Sequence, residues 1–157
     1  MEIADHYRRA FLEMRIQPDH HEPLFPGARD ALAALDAIGV NLGIATGKGR
    51  RGLIATLDSH NLVNHFVTLQ TADDGPGKPH PGMLRRAMQE TGSEPERTVL
   101  IGDTVFDMEM ARSAGVRALG VSWGYHPTDE LQAAGAARII DSFAQLIPAL
   151  IDMSEEP

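Results

Sequence analysis

From about Gly39 onward the sequence alternates short, apolar, β-rich runs with longer segments of helical character, and that alternation is the strongest constraint on its fold. The runs Val40–Ala45, Phe66–Leu69, Thr98–Ile101, Ala118–Val121 and Arg138–Ile140 are mostly short and apolar, as strands buried on both faces must be. Helices are predicted between them, over about 27–38, 49–60, 81–91, 106–114, 128–134 and 142–151. Several open on a turn or capping residue: Pro26-Gly27, Pro81, Asp107, Thr128 and Ser142. The predicted class is α/β, a Rossmann-like parallel sheet with helices on both faces. The alternation does not fix the order of the strands.

At 157 residues the chain fits one domain, large enough to bury roughly two-thirds of its unfolded surface. It has no cysteine, which excludes disulfides, thiolate metal sites and a cysteine nucleophile and agrees with a cytoplasmic location. The net charge is −8 with 14 Lys plus Arg, so the basic footprint of a nucleic-acid or anionic-membrane binder is missing. A small-molecule partner suits that balance better. No apolar run approaches the roughly 20 residues of a membrane span, and Met1 to Met14 carries Asp5, Arg8, Arg9 and Glu13 where a signal peptide would be apolar.

The leading segment is different in kind. Ile3 to Met14 reads as an amphipathic helix with no strand before it, followed by a polar, proline-bearing stretch from Gln17 to Pro26. His20 and His21 lie in that stretch, with His6 earlier; adjacent side chains in a loop point apart, so solvated histidines explain them better than a metal tract.

Three stretches carry chemistry. In Thr98-Val-Leu-Ile-Gly-Asp-Thr-Val-Phe-Asp107 a buried strand runs straight into a helix, and ligands of open α/β sheets bind beyond the carboxyl ends of strands. Asp103 and Asp107 are spaced to converge on one hard cation such as Mg²⁺, with water completing its shell. They also fit a turn residue and an N-terminal helix charge. In Leu42-Gly-Ile-Ala-Thr-Gly-Lys-Gly-Arg50, Thr46 offers a hydroxyl, and the amides of Gly47 and Lys48 sit where a helix start cradles a phosphoryl group. A capped helix start is the simpler alternative, and the spacing is not that of a Walker A loop. In Asp74-Gly-Pro-Gly-Lys78-Pro-His-Pro-Gly-Met83 a lysine is held between glycine and proline, which restricts its backbone and suits neutralising phosphate charge, although a solvated loop lysine is the commoner object.

The order of these stretches is more specific than any of them alone. Strand-Thr-Gly-Lys, then Gly-Lys-Pro-x-Pro, then strand-Gly-Asp-Thr-x-x-Asp resembles the second, third and fourth motifs of the haloacid dehalogenase superfamily, in the form found in phosphoglycolate phosphatases. The resemblance covers about Leu24 to Ile151 and extends to Ala111-Arg-Ser-Ala-Gly-Val116 and Gly120-Val-Ser-Trp-Gly-Tyr125; Trp123 and Tyr125 themselves are expected only to pack over the sheet end. It implies that Thr46 binds the transferring phosphoryl oxygens, that Lys78 holds phosphate and nucleophile together, and that Asp103 and Asp107 hold Mg²⁺. Gly47 and Lys48 would add amides to the phosphate site. The partner would be a small phosphorylated metabolite, with neither nucleic acid nor membrane involved.

The sequence departs from that family at its start. Members open with an Asp-x-Asp-Gly-Thr strand whose first aspartate is phosphorylated, and no such motif occurs here; Asp5 is expected inside a helix and Asp73-Asp74 in a loop. Ile3 to Met14 instead resembles the last helix of the family's helical cap. The expected layout is a cap remnant and linker over 1–22, a core domain over 23–157 and an absent first strand. The intact form is expected to be a Mg²⁺-dependent phosphomonoester hydrolase, with this chain beginning inside the cap and nearly inactive alone, because loss of a carboxylate nucleophile removes most of such an acceleration. A non-catalytic module binding phosphate and Mg²⁺ is the alternative. A missing strand would also leave unpaired backbone, which self-association into a homo-oligomer could satisfy.

Overall fold

The computed structural model describes residues 2–5 and 26–156. Among them the strands form one six-stranded sheet of order β3-β2-β1-β4-β5-β6, all neighbours parallel. The strands are β1 (Glu2–Asp5), β2 (Asn41–Ala45), β3 (Phe66–Gln70), β4 (Thr98–Gly102), β5 (Arg117–Val121) and β6 (Ala136–Ile140). The helices are α1 (Ala28–Ala37), α2 (Arg50–Ser59), α3 (Gly82–Thr91), α4 (Val105–Ala114), α5 (Thr128–Ala133) and α6 (Leu146–Ser154). The predicted class therefore stands, and each strand read from the sequence begins and ends within two residues of an observed one.

Alternation along the strands divides the core. Leu42, Ile44, Val99, Ile101, Leu119 and Val121 join α1, α2 and α6 in one apolar layer. Leu100 and Ala118 point the other way, to Met83, Leu84 and Ala87 of α3, Met108 and Ala111 of α4 and Leu131 of α5. Side chains two apart share a face of a strand, so continuous apolar runs are what a sheet covered on both sides requires.

Two expectations are corrected. The central place in the sheet, between β2 and β4, is filled by Glu2–Asp5, where the sequence reading had an absent strand and a helix from Ile3. The register pairs Ile3 with Leu42 and with Val99. Two parallel neighbours with open backbone edges offer every N–H and C=O of an extended segment a partner, and that outweighs the helical periodicity of the same residues. The remainder of the expected helix, and His6, His20 and His21, lie outside the described residues. Second, the segment read as one helix over 142–151 is a short 3₁₀ turn, Phe143–Gln145, followed by α6.

Candidate functional site

Because the strands are parallel, their carboxyl ends share one edge, and the loops leaving β2, β3 and β4 carry the residues singled out above. Asp103 follows β4 directly and is 2% exposed; Asp107 is wholly buried in the first turn of α4. The helix is opened by Thr104 rather than Asp107. Thr104 Oγ1 accepts from the Asp107 amide, while Asp107 Oδ2 accepts from Thr104 Oγ1 at 3.0 Å and from the amides of Thr104 and Asp103 at 3.1 Å. This reciprocal cap is legible as Thr-x-x-Asp. It fixes the Asp107 carboxylate and leaves Oδ1 facing Lys78, whose Nζ stands 2.7 Å away.

Two glycines make room for these carboxylates. A Cβ at Gly102 would fall 2.6 Å from Asp107 Cβ, and one at Gly124 would fall 2.1 Å from Asp103 Cβ. The loop after β5 closes on Asp103: the Tyr125 amide donates to Asp103 Oδ2 at 3.1 Å and the His126 amide to its carbonyl at 3.1 Å. His126 Nδ1 accepts from the Val105 amide at 2.9 Å and its ring meets Phe106 edge-on. Sequence reasoning gave no role to Gly124, although it lies in the Gly120–Tyr125 stretch that resembles the family, and missed His126, which lies just beyond that stretch. Trp123 packs on Phe143, as expected of it.

Lys78 lies on the loop between β3 and α3 with its side chain only 6% exposed. Burial pushes its ammonium down to about 8, against the opposing pull of Asp107 and, more weakly, Asp103. Lys78, Asp103 and Asp107 are thus one buried cluster.

Thr46 follows β2 and is fully buried. β1 lies between β2 and β4, so the two strand ends stand roughly 10 Å apart at two strand spacings. The Lys48 amide, expected to face a phosphoryl group, instead donates to Thr46 Oγ1 at 3.0 Å, a local bond between a threonine hydroxyl and the backbone two residues on. The Lys48 stem is laid over Gly52, at the start of α2. Gly47 and Gly77 both border open space. Asp73 and Asp74 anchor this loop: Asp73 Oδ2 accepts from the Arg50 amide and Asp74 Oδ2 from the Arg50 guanidinium, both at 2.9 Å. Burial works to raise the Asp74 carboxyl, but hydrogen bonds from Thr71 and Arg50 outweigh it and hold the group below its ordinary value. Asp5 is the last residue of β1, paired in register with Ile44, where the sequence reading had it within a helix.

The donor set suits a hard cation. Two buried carboxylates against one ammonium leave an excess negative charge, which a low-dielectric site tolerates only with further compensation. Among the described residues no group of three or more His, Cys, Asp and Glu is placed to hold a metal. A cation held here would keep several waters, as Mg²⁺ does. No helix among the described residues is long and apolar enough to cross a membrane.

Comparison with known proteins identifies the chain's relatives. The chain is 36% identical over 155 residues to a protein from Dickeya dadantii named probable phosphatase IndB, covering 96% of this chain and 67% of that one. It is 34% identical over 128 residues to the phosphoglycolate phosphatase of Salmonella typhimurium, covering 81% and 51%. Among solved structures, a hydrolase from Pseudomonas syringae superposes with a TM-score of 0.76 at 29% identity, covering 84% of this chain and 62% of that one. A haloacid dehalogenase family hydrolase from Deinococcus radiodurans, solved with bound phosphate and sodium, superposes at 0.75 with 32% identity, covering 83% and 60%. The chain thus spans between about half and two-thirds of the lengths of these relatives. The sequence profile of the haloacid dehalogenase-like hydrolases matches residues 2–121, and the chain belongs to that family.

Proposed function

We propose that this chain supplies the phosphate- and cation-binding half of a phosphomonoester hydrolase of the phosphoglycolate phosphatase kind. The observation that carries the reading is the buried ion pair of Lys78 and Asp107 beside Asp103, at the sheet edge where β2 also delivers Thr46. In this reading Asp103 and the outer oxygen of Asp107 hold Mg²⁺, which offsets charge on the phosphoryl group when bound. Lys78 brings its ammonium against the same oxygens. Thr46 Oγ1 accepts from Lys48, which leaves its own proton to donate to phosphate. Gly47 lets the group approach the backbone.

The substrate is a small phosphorylated metabolite of the cytoplasm, and residues 23–157, with β1 added to their sheet, act as the core domain. The described residues include no strand of Asp-x-Asp-Gly-Thr sequence, so the nucleophile of an acyl-phosphate mechanism is not assigned within them. The chain alone is therefore expected to bind phosphate and turn substrate over slowly at most. The test compares this polypeptide, and a version extended at its start by a segment bearing Asp-x-Asp-Gly-Thr, against p-nitrophenyl phosphate with Mg²⁺. Activity confined to the extended form supports the reading. No activity in either, with Mg²⁺ and phosphate binding retained, would make the chain a binding module instead.

A further inference from the structure

Thr68 and Gln70 are polar residues on β3, the outer strand of the sheet, yet each is only 2% exposed. They lie two apart and face α3, where an apolar pair would be the ordinary choice. A set of side-chain hydrogen bonds accounts for them. Thr68 Oγ1 donates to Glu90 Oε1 at 2.8 Å, and Gln70 Nε2 donates to Glu90 Oε2 at 2.8 Å and to Thr68 Oγ1 at 3.0 Å. On its other side Gln70 Oε1 accepts from Arg86 Nε at 2.9 Å. Arg86 and Glu90 are four apart on α3 and could pair directly; the Gln70 amide is inserted between them instead, its nitrogen toward the carboxylate and its oxygen toward the guanidinium.

Each end of this set reaches a part of the phosphate site. The Gln70 carbonyl accepts from the Thr46 amide at 2.9 Å. The Arg86 guanidinium lies close to both flanks of the segment that carries Lys78: Nη1 would stand 3.0 Å from a Cβ at Gly75 and 3.2 Å from one at Gly82, the first residue of α3. A side chain at either position would crowd the guanidinium, and Gly75 has in addition a φ of 142° that favours glycine. One residue therefore touches Thr46 through its main chain and, through its side chain, the arginine that lies against the flanks of the Lys78 loop.

We propose that Gln70 is a positioning residue that fixes Thr46 and Lys78 relative to one another, with Arg86 as the strut that transmits its position to the Lys78 loop. The proposal rests on the reading of Thr46 and Lys78 as phosphate ligands. A network serving only to dock α3 would act on stability and on every ligand alike, whereas a positioning role acts on phosphate and spares the cation held by Asp103.

The test exchanges the amide and the carboxylate. Gln70→Glu alone keeps an acceptor for Arg86 Nε but sets two carboxylates against each other; adding Glu90→Gln restores an amide donor between the two residues. Orthophosphate and Mg²⁺ affinities are measured by calorimetry, and amide hydrogen exchange of residues 75–82 by mass spectrometry. Expected for Gln70→Glu is a loss of phosphate affinity of about tenfold or more, in the range for a misplaced charge-assisted hydrogen bond. Mg²⁺ affinity should be unchanged, loop exchange faster, and both phosphate binding and loop protection recovered in the double variant. Loop exchange that ignores the series, or phosphate and Mg²⁺ affinities that fall together without recovery, overturns the positioning role. A wild-type chain that binds no phosphate while its loop exchange follows the series would instead sink the phosphate-site reading and leave the strut standing as a loop brace.

Discussion

The Lys78 ammonium lies 2.7 Å from Asp107 Oδ1, with the lysine side chain 6% exposed and the aspartate wholly buried. Taking both charges out of water is costly, and the pair persists because Asp107 is already fixed by three donors on its other oxygen. The consequences of that arrangement can be measured.

Replacing Lys78 by Met leaves the Asp107 carboxylate buried without its ammonium. Breaking a buried pair from one side costs about 3 kcal/mol, so chemical denaturation should report a loss of that order. Adding Asp107→Asn should return much of the stability, because an amide at 107 carries no charge to compensate, while phosphate binding stays lost. Recovery of phosphate binding in the double variant would remove Lys78 from the anion site.

The same lysine sets a pH window. Its ammonium titrates at about 8 when folded, against an ordinary value of 10.5, so phosphate affinity should fall as pH rises through 8. Stability should move the other way. Between the two values the unfolded chain binds a proton that the folded chain does not, so the contribution of this group to stability rises with pH. Phosphate titrations and denaturation curves at pH 7, 8 and 9 check both signs.

Gly124 is expected to be as sensitive as the carboxylate it shelters. A methyl group there would fall 2.1 Å from Asp103 Cβ, which forces the 122–126 loop or Asp103 to move. Gly124→Ala should weaken Mg²⁺ binding by at least about tenfold, as Asp103→Asn should; unchanged Mg²⁺ binding in both, measured by calorimetry, would take Asp103 out of the cation site.

Much of this was legible in the sequence, and the exceptions have physical reasons. The strands after Gly39 were readable because burial on both faces leaves a continuous apolar signature, as in β4, where all five residues are buried. Thr46 and Asp103 stood out as candidates because each leaves the end of a strand, Lys78 because glycine and proline flank it, and Asp107 because it follows Asp103 four residues on at a helix start. The strand at Glu2–Asp5 was not, since its conformation is set by two neighbours nearly forty and one hundred residues away and its local pattern favours a helix. Gly124, His126 and Gln70 act through backbone amides, close approach or a bridging amide, none of which leaves a spacing to recognise. The fate of the Lys48 amide was likewise settled by a local contact to Thr46.

The placement of Asp5 at the end of β1 allows a direct check on whether it serves as a nucleophile. Asp5→Asn should leave any slow hydrolysis by this chain unchanged, because the reading assigns Asp5 no chemistry. A fall of about a hundredfold or more, the scale expected for removing a nucleophile, would give Asp5 that role.

The central claim is that one cluster binds cation and phosphate together, and the coupling between the two ligands tests it most directly. Orthophosphate is titrated into the chain with and without saturating Mg²⁺, in the wild type and in Asp103→Asn. The account predicts that Mg²⁺ tightens phosphate binding by about tenfold or more, a coupling within the range of linked sites, and that Asp103→Asn abolishes the enhancement. Phosphate binding that is indifferent to Mg²⁺ in the wild type, or an enhancement that survives the substitution, would contradict it.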